Sequence, residues 1–448
     1  SFVLNCRILE SKVRILPGSP FQTLQRHKAI LCEAARLTLS AASQSGFPPT
    51  LDQKIYWAMN LVRNRSDPCS KQSKRAILGY PFLEKFVSSQ HGMSEILLIE
   101  LCLHIDELQY SKATGDLEGL VDCSTNEVQI QKRNRLAQFM SLWASKRRRI
   151  CNLVIIDEAG RDTESACESA RVLFSCWSHK FAFAPVFLAL ARHAIADHIA
   201  TCNDISFVVP FEQFVERINR LFDSGVGTDT MLYSCWKFGH EGARKSLYDF
   251  YLHLLDNPLL ESENEFLDSR LVFIQKGKVE PNQAGVLRLP PSKTRPLNLA
   301  NTDMKIISCL VSMVLSVVCN SCICTLQSGG MKGKQMIDLI FRLEAKIVEY
   351  IAHHTPHAGI FACDVASAFP SLSRKYLFWV LKRMGIPPQL RRLIRSLHRP
   401  SRATICFKNL LFDDITLYNG VKQGDPSAMV LFILGYDPLI RFIDHSLR

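Results

Sequence analysis

No apolar run in this 448-residue chain reaches the length of a membrane span. The most apolar stretch, IISCLVSMVLSVVC from Ile306 to Cys319, falls short of the ~20 residues that a bilayer crossing needs. It is flanked by Lys305 and Asn320, so it reads as a core helix. There is no internal repeat and no low-complexity tract, which excludes a repeat array and a disordered tail. No charged-then-apolar leader follows Ser1; a fragment or processed start without a secretory signal is the expectation. The sixteen cysteines form no regular framework, and a chain this long needs no stapling, so a reducing intracellular compartment is the simpler reading. Acid is in deficit, with 42 Asp+Glu against 54 Lys+Arg and a net charge of +12. That surplus leans towards a polyanion such as nucleic acid, with a merely basic soluble protein the bland alternative.

What is present is a chain able to fold. It is 47% hydrophobic and 21% charged, enough to bury sizeable cores. Its length allows about two to four domains, or one domain with a large appendage. Residues 1–150 alternate helical patterns with polar breaks, as in HKAILCEAARLTLSAAS (His27–Ser43) and LDQKIYWAMNLVRN (Leu51–Asn64). Two basic runs, 132–135 and 146–149, bracket the amphipathic LAQFMSLWAS. They read as a solvated helix face or as a phosphate-tracking stripe. Cys319, Cys322 and Cys324 form a C-x-x-C-x-C cluster with no fourth Cys or His at ligand spacing. They read as small apolar residues on a buried helix rather than as zinc ligands.

NLVIIDEAG (Asn152–Gly160) mimics the magnesium-holding strand of a P-loop ATPase. That fold also needs G-x-x-x-x-G-K-[ST] to cradle phosphates. The nearest stretch, GGMKGKQ (Gly329–Gln335), has the wrong glycine spacing and Gln335 in place of a hydroxyl. The ATPase reading fails, and IIDEAG becomes a strand and turn with exposed acids. Further on, Pro210–Gly239 predicts a helix ending in a glycine turn that holds Asp229, and SRLVFIQKGK (Ser269–Lys278) predicts a strand. VLRLPPSKTRPLNLAN (Val286–Asn301) reads as a loop or hairpin, GIFACDVASAF as a strand and turn, and RATICFKNLLFDDITLYNG as a hairpin.

The order LVFIQK, TRPLNLANTDMKIIS, LQSGGMKGKQ, FACDVASAF, GVKQGDPSAMVLFIL resembles the reverse transcriptase domain of non-LTR (LINE-like) retrotransposons. Group II intron enzymes share much of it. Each piece alone is weak, but five in order from Leu271 to Leu434 are specific, and VKQGDP after a D-x-x-x-A-F box is the most specific part. The resemblance implies RNA template, DNA primer and dNTP as partners, and no membrane. It also implies two Mg2+ ions in the complete enzyme, because nucleotidyl transfer uses a metal pair ~4 Å apart held by carboxylate and carbonyl oxygens. Taken alone, Asp364 is a strand-end cap or half of a metal site. The family makes it the first catalytic metal ligand, with the Val365 carbonyl as a supplementary one. Phe369, otherwise a core residue, falls on the position whose ring abuts the incoming sugar. Lys276 and Arg295 match cations that neutralise the triphosphate, a role for which a guanidinium fork is suited. Gln423 and Gly424, with Gly420, would let backbone approach the nucleotide and template base. Gln327, Gly329 and Lys332 correspond to a loop near the template, and Lys305 contacts template phosphate or is simply solvated.

Two departures matter. After the proline the family runs Leu-Ser-Pro-like, whereas this chain has Ser427-Ala428-Met429. The second catalytic box, an aromatic-any-Asp-Asp hairpin, does not occur between Gln423 and Arg448. Asp413-Asp414 comes too early, in FDDITL. With one carboxylate of three, the expectation is a fragment of an RNA-directed DNA polymerase, truncated before that box and inactive alone, or a catalytically dead RNA-binding relative. The expected fold is α+β: right-hand polymerase fingers and a partial palm, with helices on a small antiparallel sheet, after a mostly helical N-terminal region. The expected division is 1–150 (helical, role unassigned), 151–265 (linker or extension) and 266–448 (fingers and partial palm).

Overall fold

The computed structural model describes residues 2–12, 18–43, 51–63, 71–87, 94, 96–105, 107–108, 111, 153–163, 165–183, 185–203, 205–277, 287–331, 333–353, 359–360, 362–365, 367–407 and 410–447. The basic runs 132–135 and 146–149, the segment between them, and Lys332 lie outside these.

The chain opens with helices α1 (Phe2–Lys12), α2 (Pro20–Ser43), α3 (Leu51–Arg63), α4 (Lys71–Gly79) and α5 (Ile96–Ile105). Strand β1 (Leu153–Ile155) leads into the turn over Asp157–Gly160. Asp157 is tied into that turn by Arg161, whose Nε donates to it at 3.0 Å. Helix α6 (Ala166–Phe181) starts where the Ser165 hydroxyl accepts the Glu168 amide at 3.1 Å, an N-cap that satisfies a donor the helix itself leaves open. Helices α7 (Leu188–Ile195), α8 (Phe211–Arg220), α9 (Tyr233–Phe238) and α10 (Glu241–Asp256) follow. The helix predicted over Pro210–Gly239 is therefore broken. Its SGVGTDT run leaves the helix so that Gly227 can press against Asn301, where a Cβ would lie 2.3 Å from Oδ1.

Strand β2 (Ser269–Gln275) pairs antiparallel with β4 (Thr294–Ala300) and parallel with β5 (Ser401–Phe407), which pairs antiparallel with β6 (Leu410–Leu417). The sheet order is β4-β2-β5-β6, while β3 (Leu287–Leu289) pairs in parallel with β1. The sheet is thus mixed rather than antiparallel. Its parallel step is allowed because a long helical crossover separates β2 from β5. Pro296 sits in β4, an edge strand, where its missing amide hydrogen costs no ladder bond. No strand forms over the described part of GIFACD; residues 362–365 are irregular and exposed. That expectation is corrected: Ala362 to Val365 pair with no strand in the sheet order.

The remaining helices are α11 (Thr302–Cys322), α12 (Met336–Ala352), the short α13 (Ala368–Ser371), α14 (Arg374–Arg383), α15 (Pro388–Leu397) and α16 (Ala428–Leu447). Helix α11 extends past both ends of the Ile306–Cys319 run and is, contrary to the expectation from that run, long and apolar enough to cross a bilayer. Every residue from Thr302 to Leu310 is nevertheless buried within the protein. It is the axis of the main core, where Ile307 and Leu310 meet Leu247 and Phe250 of α10, Leu393 of α15, Leu431 of α16 and Leu31 of α2. A second core lies between α6 and the sheet, from Leu173 and Trp177 to Leu271, Ile405 and Leu417. A third joins α3, α4 and α5 through Leu61, Ala76 and Leu101. Burying each such side chain is worth roughly 1.5–3 kcal/mol. Helices α1 and α2 belong to the main core. A buried ion pair fixes α2 there: Lys28 Nζ lies 2.6 Å from Asp303 and 3.0 Å from Asp229. Burial alone would lower the lysine pKa, but the two carboxylates outweigh it and raise it.

Of the C-x-x-C-x-C cluster, Cys319 is buried and Cys322 and Cys324 are half-buried. The Cys322 thiol lies 2.7 Å from that of Cys202. Among the described residues, no metal-competent group includes these cysteines.

Candidate active site

The edge of the sheet supplies the cations. On β4, Thr294, Pro296 and Asn298 are buried while Arg295 between them is exposed, the alternation that a pleated strand imposes. Thr294 accepts a hydrogen bond from Trp177 Nε1 at 3.2 Å, which ties β4 to α6. Lys276 follows β2, its amide donating to the Lys293 carbonyl at 2.8 Å. Opposite stands the turn around Asp364. Ser367 within it adopts φ 52°, a left-handed conformation uncommon for a residue with a Cβ and often found at functional turns. It starts α13, and Phe369 packs on Phe432 of α16 with ring centroids 5.2 Å apart.

These elements enclose a cavity of about 380 Å³ lined by Lys276, Arg295, Asp364, Val365, Phe369 and Gln423, with Trp177, Ser292 and Thr294 among its other walls. A larger hollow of about 550 Å³ lies elsewhere, between Asp197–Ala200, Ser321–Leu326 and the end of α16. It holds Cys322 and Cys324 but none of the residues that the reverse transcriptase resemblance marks, so chemistry rather than size distinguishes the first.

The GVKQGDP loop closes the floor. Gly420 has φ 75°, and a Cβ there would lie 2.6 Å from the carbonyl oxygens of Phe369 and Pro370. The Gly420 amide donates to the Leu372 carbonyl at 3.1 Å, and the Val421 amide to the Phe369 carbonyl at 2.9 Å. Gly424 has φ 101°, and a Cβ would lie 2.6 Å from the Asn298 carbonyl oxygen. The Asn298 amide in turn donates to the Gln423 carbonyl at 2.6 Å. Both glycines make close approaches within the chain, Gly420 to the Phe369 turn and Gly424 to β4. Only glycine tolerates both the backbone angle and the contact.

The template-side residues fare differently. Gln327 is buried, with Nε2 donating to the Ile433 carbonyl at 3.4 Å. Gly329 is exposed with open space around it. Lys305 is neither solvated nor on a groove: it is 5% exposed, and its Nζ donates to the Gly225 carbonyl at 2.7 Å. Burial lowers its pKa. The phosphate-contact expectation is corrected, since the helix carrying Lys305 is the core axis and turns this side chain inward.

Behind the loop lies a buried polar cluster that sequence reasoning did not single out. Arg374 Nε donates to the Gly420 carbonyl at 2.8 Å. Burial pushes its pKa down to about 10. Lys422 Nζ donates to the Leu267 carbonyl at 3.2 Å. Burial and then the Arg374 charge push its pKa down to about 7. Asp425 accepts from the Ser427 amide and hydroxyl, both at 2.7 Å, and from the Ser308 hydroxyl. His398 Nε2 stands 3.3 Å from the Ser427 hydroxyl. In sequence, Arg374 and Lys422 look like surface charges, and only the aspartate of QGDP hinted at an internal network.

Residues 274–447 match the family Reverse transcriptase (RNA-dependent DNA polymerase). The segment is a reverse transcriptase domain. A curated relative, the Transposon TX1 uncharacterized 149 kDa protein of Xenopus laevis, is 23% identical over 150 residues, which cover 33% of this chain and 11% of that protein. The name of that relative marks it as a transposon protein. The family match spans the β2 end, the cation-bearing β4, the Asp364 turn and the GVKQGDP loop. The chain spans about a tenth of the relative it matches.

Proposed function

We propose that the 380 Å³ cavity receives the incoming dNTP of an RNA-directed DNA polymerase, and that this chain contributes its fingers and part of its palm. One observation carries the reading: two cations, a carboxylate and an aromatic ring line one hollow, with Val365 beside the carboxylate. Arg295 would grip the triphosphate bidentately and Lys276 would add a point charge. Phe369, braced by Phe432, would wall the sugar and disfavour a 2′-hydroxyl. Gln423, held by the Asn298 amide, would keep the floor rigid beneath the base. RNA template and DNA primer would complete the complex.

The donor set suits a hard cation. Asp364 and the Val365 carbonyl offer oxygens, and Mg2+ is commonly held by one or two carboxylates plus substrate phosphates. Bound there, it would neutralise charge on the transferring phosphoryl group. A second ion does not fit the described lining, which contains a single carboxylate, Asp364. That same single carboxylate favours the second reading, an RNA-binding relative that performs no chemistry by itself.

Mg2+-dependent binding of a fluorescent dNTP separates the readings. Binding that weakens by ~10- to 150-fold in Arg295→Ala, as loss of a charge-assisted bond worth ~1.5–3 kcal/mol requires, supports the polymerase site. Primer extension that Asp364→Ala abolishes would add catalysis to it. RNA binding without any dNTP binding would leave only the second reading.

A further inference from the structure

The three residues Glu10, His27 and His240 come from α1, α2 and the cap of α10, and their ligand-bearing atoms all lie within 4.8 Å of one another. They stand outside the cavity described above. Both histidines are buried, at 6% and 8% exposure. His27 Nδ1 lies 3.4 Å from His240 Nε2, and His240 Nδ1 lies 3.0 Å from Glu10 Oε1. Two nitrogens bound to one tetrahedral zinc at ~2.0 Å stand ~3.3 Å apart, so the imidazole pair already has the spacing of ligands.

A second feature points to the space between them. Gly242 is the second residue of α10, a position where glycine forfeits about 1 kcal/mol of helix propensity against alanine. A Cβ there would lie 2.9 Å from Glu10 Oε1, 3.0 Å from His27 Cε1 and 3.1 Å from His240 Nδ1. The glycine therefore keeps open the point on which all three side chains converge.

We propose that His27, His240 and Glu10 bind one zinc ion, with solvent in the fourth position on the half-exposed Glu10 side. Two imidazoles and a carboxylate are a ligand set zinc accepts readily. The ion staples α1 and α2 to the start of α10, and so fixes the N-terminal helices to the core that carries the polymerase domain.

The test uses the whole chain, stripped with a chelator and then titrated with zinc chloride, with bound metal counted after gel filtration. One zinc per chain is expected, together with a rise in melting temperature and slower proteolysis within residues 2–43. His27→Gln and His240→Gln should each weaken binding at least ~100-fold, since loss of outer-shell partners alone costs ~10–100-fold. Cys319→Ser/Cys322→Ser should leave it unchanged. Cobalt(II) loaded into the unmodified chain gives a readout free of folding defects in variants. Visible bands of a tetrahedral nitrogen–oxygen site support the assignment. Stoichiometry near zero, or a thiolate-to-cobalt charge-transfer band, overturns it.

Discussion

Gly420→Ala is the most demanding test of how the site is held together. The new methyl would sit 2.6 Å from the Phe369 oxygen, the Pro370 Cα and the Pro370 oxygen. All three are backbone atoms, so no side chain can swing aside. Ordinary contact begins at 3.4 Å, which leaves a deficit of about 0.8 Å to be met by moving the loop or the Phe369 turn. Overpacking of this kind costs ~1–3 kcal/mol, and a side chain at φ 75° adds ~1–2 kcal/mol relative to glycine. A total near 2–5 kcal/mol is expected. Relief by loop displacement would break the Gly420–Leu372 and Val421–Phe369 hydrogen bonds and carry Gln423 away from the cavity. Thermal melting of the variant should fall by several degrees, at ~2–4 °C per kcal/mol for a domain of ~150–250 residues, and dNTP affinity should fall with it. Gly329→Ala is the control from the same family pattern: nothing lies within 4 Å of its added carbon, so both readouts should stay at wild-type values. A Gly420→Ala protein that melts with wild type and binds dNTP equally would refute the view that this loop is clamped to the Phe369 turn.

Other perturbations probe separate parts. Lys28→Ala strands Asp303, whose side chain is fully buried, and Asp229; urea denaturation should register a loss of ~3–5 kcal/mol with an unchanged m-value. Asp364→Asn removes an exposed carboxylate, so stability should stay within ~0.5 kcal/mol while Mg2+-dependent dNTP binding is lost. His398 is held neutral by burial, with Asp425 opposing and Arg374 and Lys422 reinforcing the effect, and its pKa is pushed down from 6.5 to about 4. Because the unfolded imidazole takes up a proton first, its contribution is complete above pH 6.5 and fades as pH falls towards 4. Denaturation midpoints measured across that window should slope less in His398→Asn than in wild type, and equal slopes would count against a buried neutral ring.

How much could be read beforehand depended on how local the cause was. Hydrophobic period and turn residues located α2, α3, β2, the β5–β6 hairpin and the core helix α11, since burial of one face leaves a spacing in the chain itself. The ordered boxes likewise brought together Lys276, Arg295, Asp364, Val365, Phe369 and Gln423 as one candidate site, because motif spacing survives in a linear string. The mixed sheet was not legible: whether β2 lies parallel to β5 depends on how the intervening helices cross, and that leaves no local mark. Asp364 sits on irregular, exposed backbone rather than at a strand end, since strand formation needs a partner edge and an apolar run alone does not supply one. Charge misled for a similar reason. Lys305, Arg374 and Lys422 look like surface cations in the string, yet each is buried on backbone carbonyls. The sequence by itself determined the reverse transcriptase resemblance and named six of the side chains that line the candidate pocket. Only the tertiary structure decided which glycines are clamped, which cations face solvent, and where two histidines and a glutamate from distant helices meet, because those depend on distances between segments that the chain order does not encode.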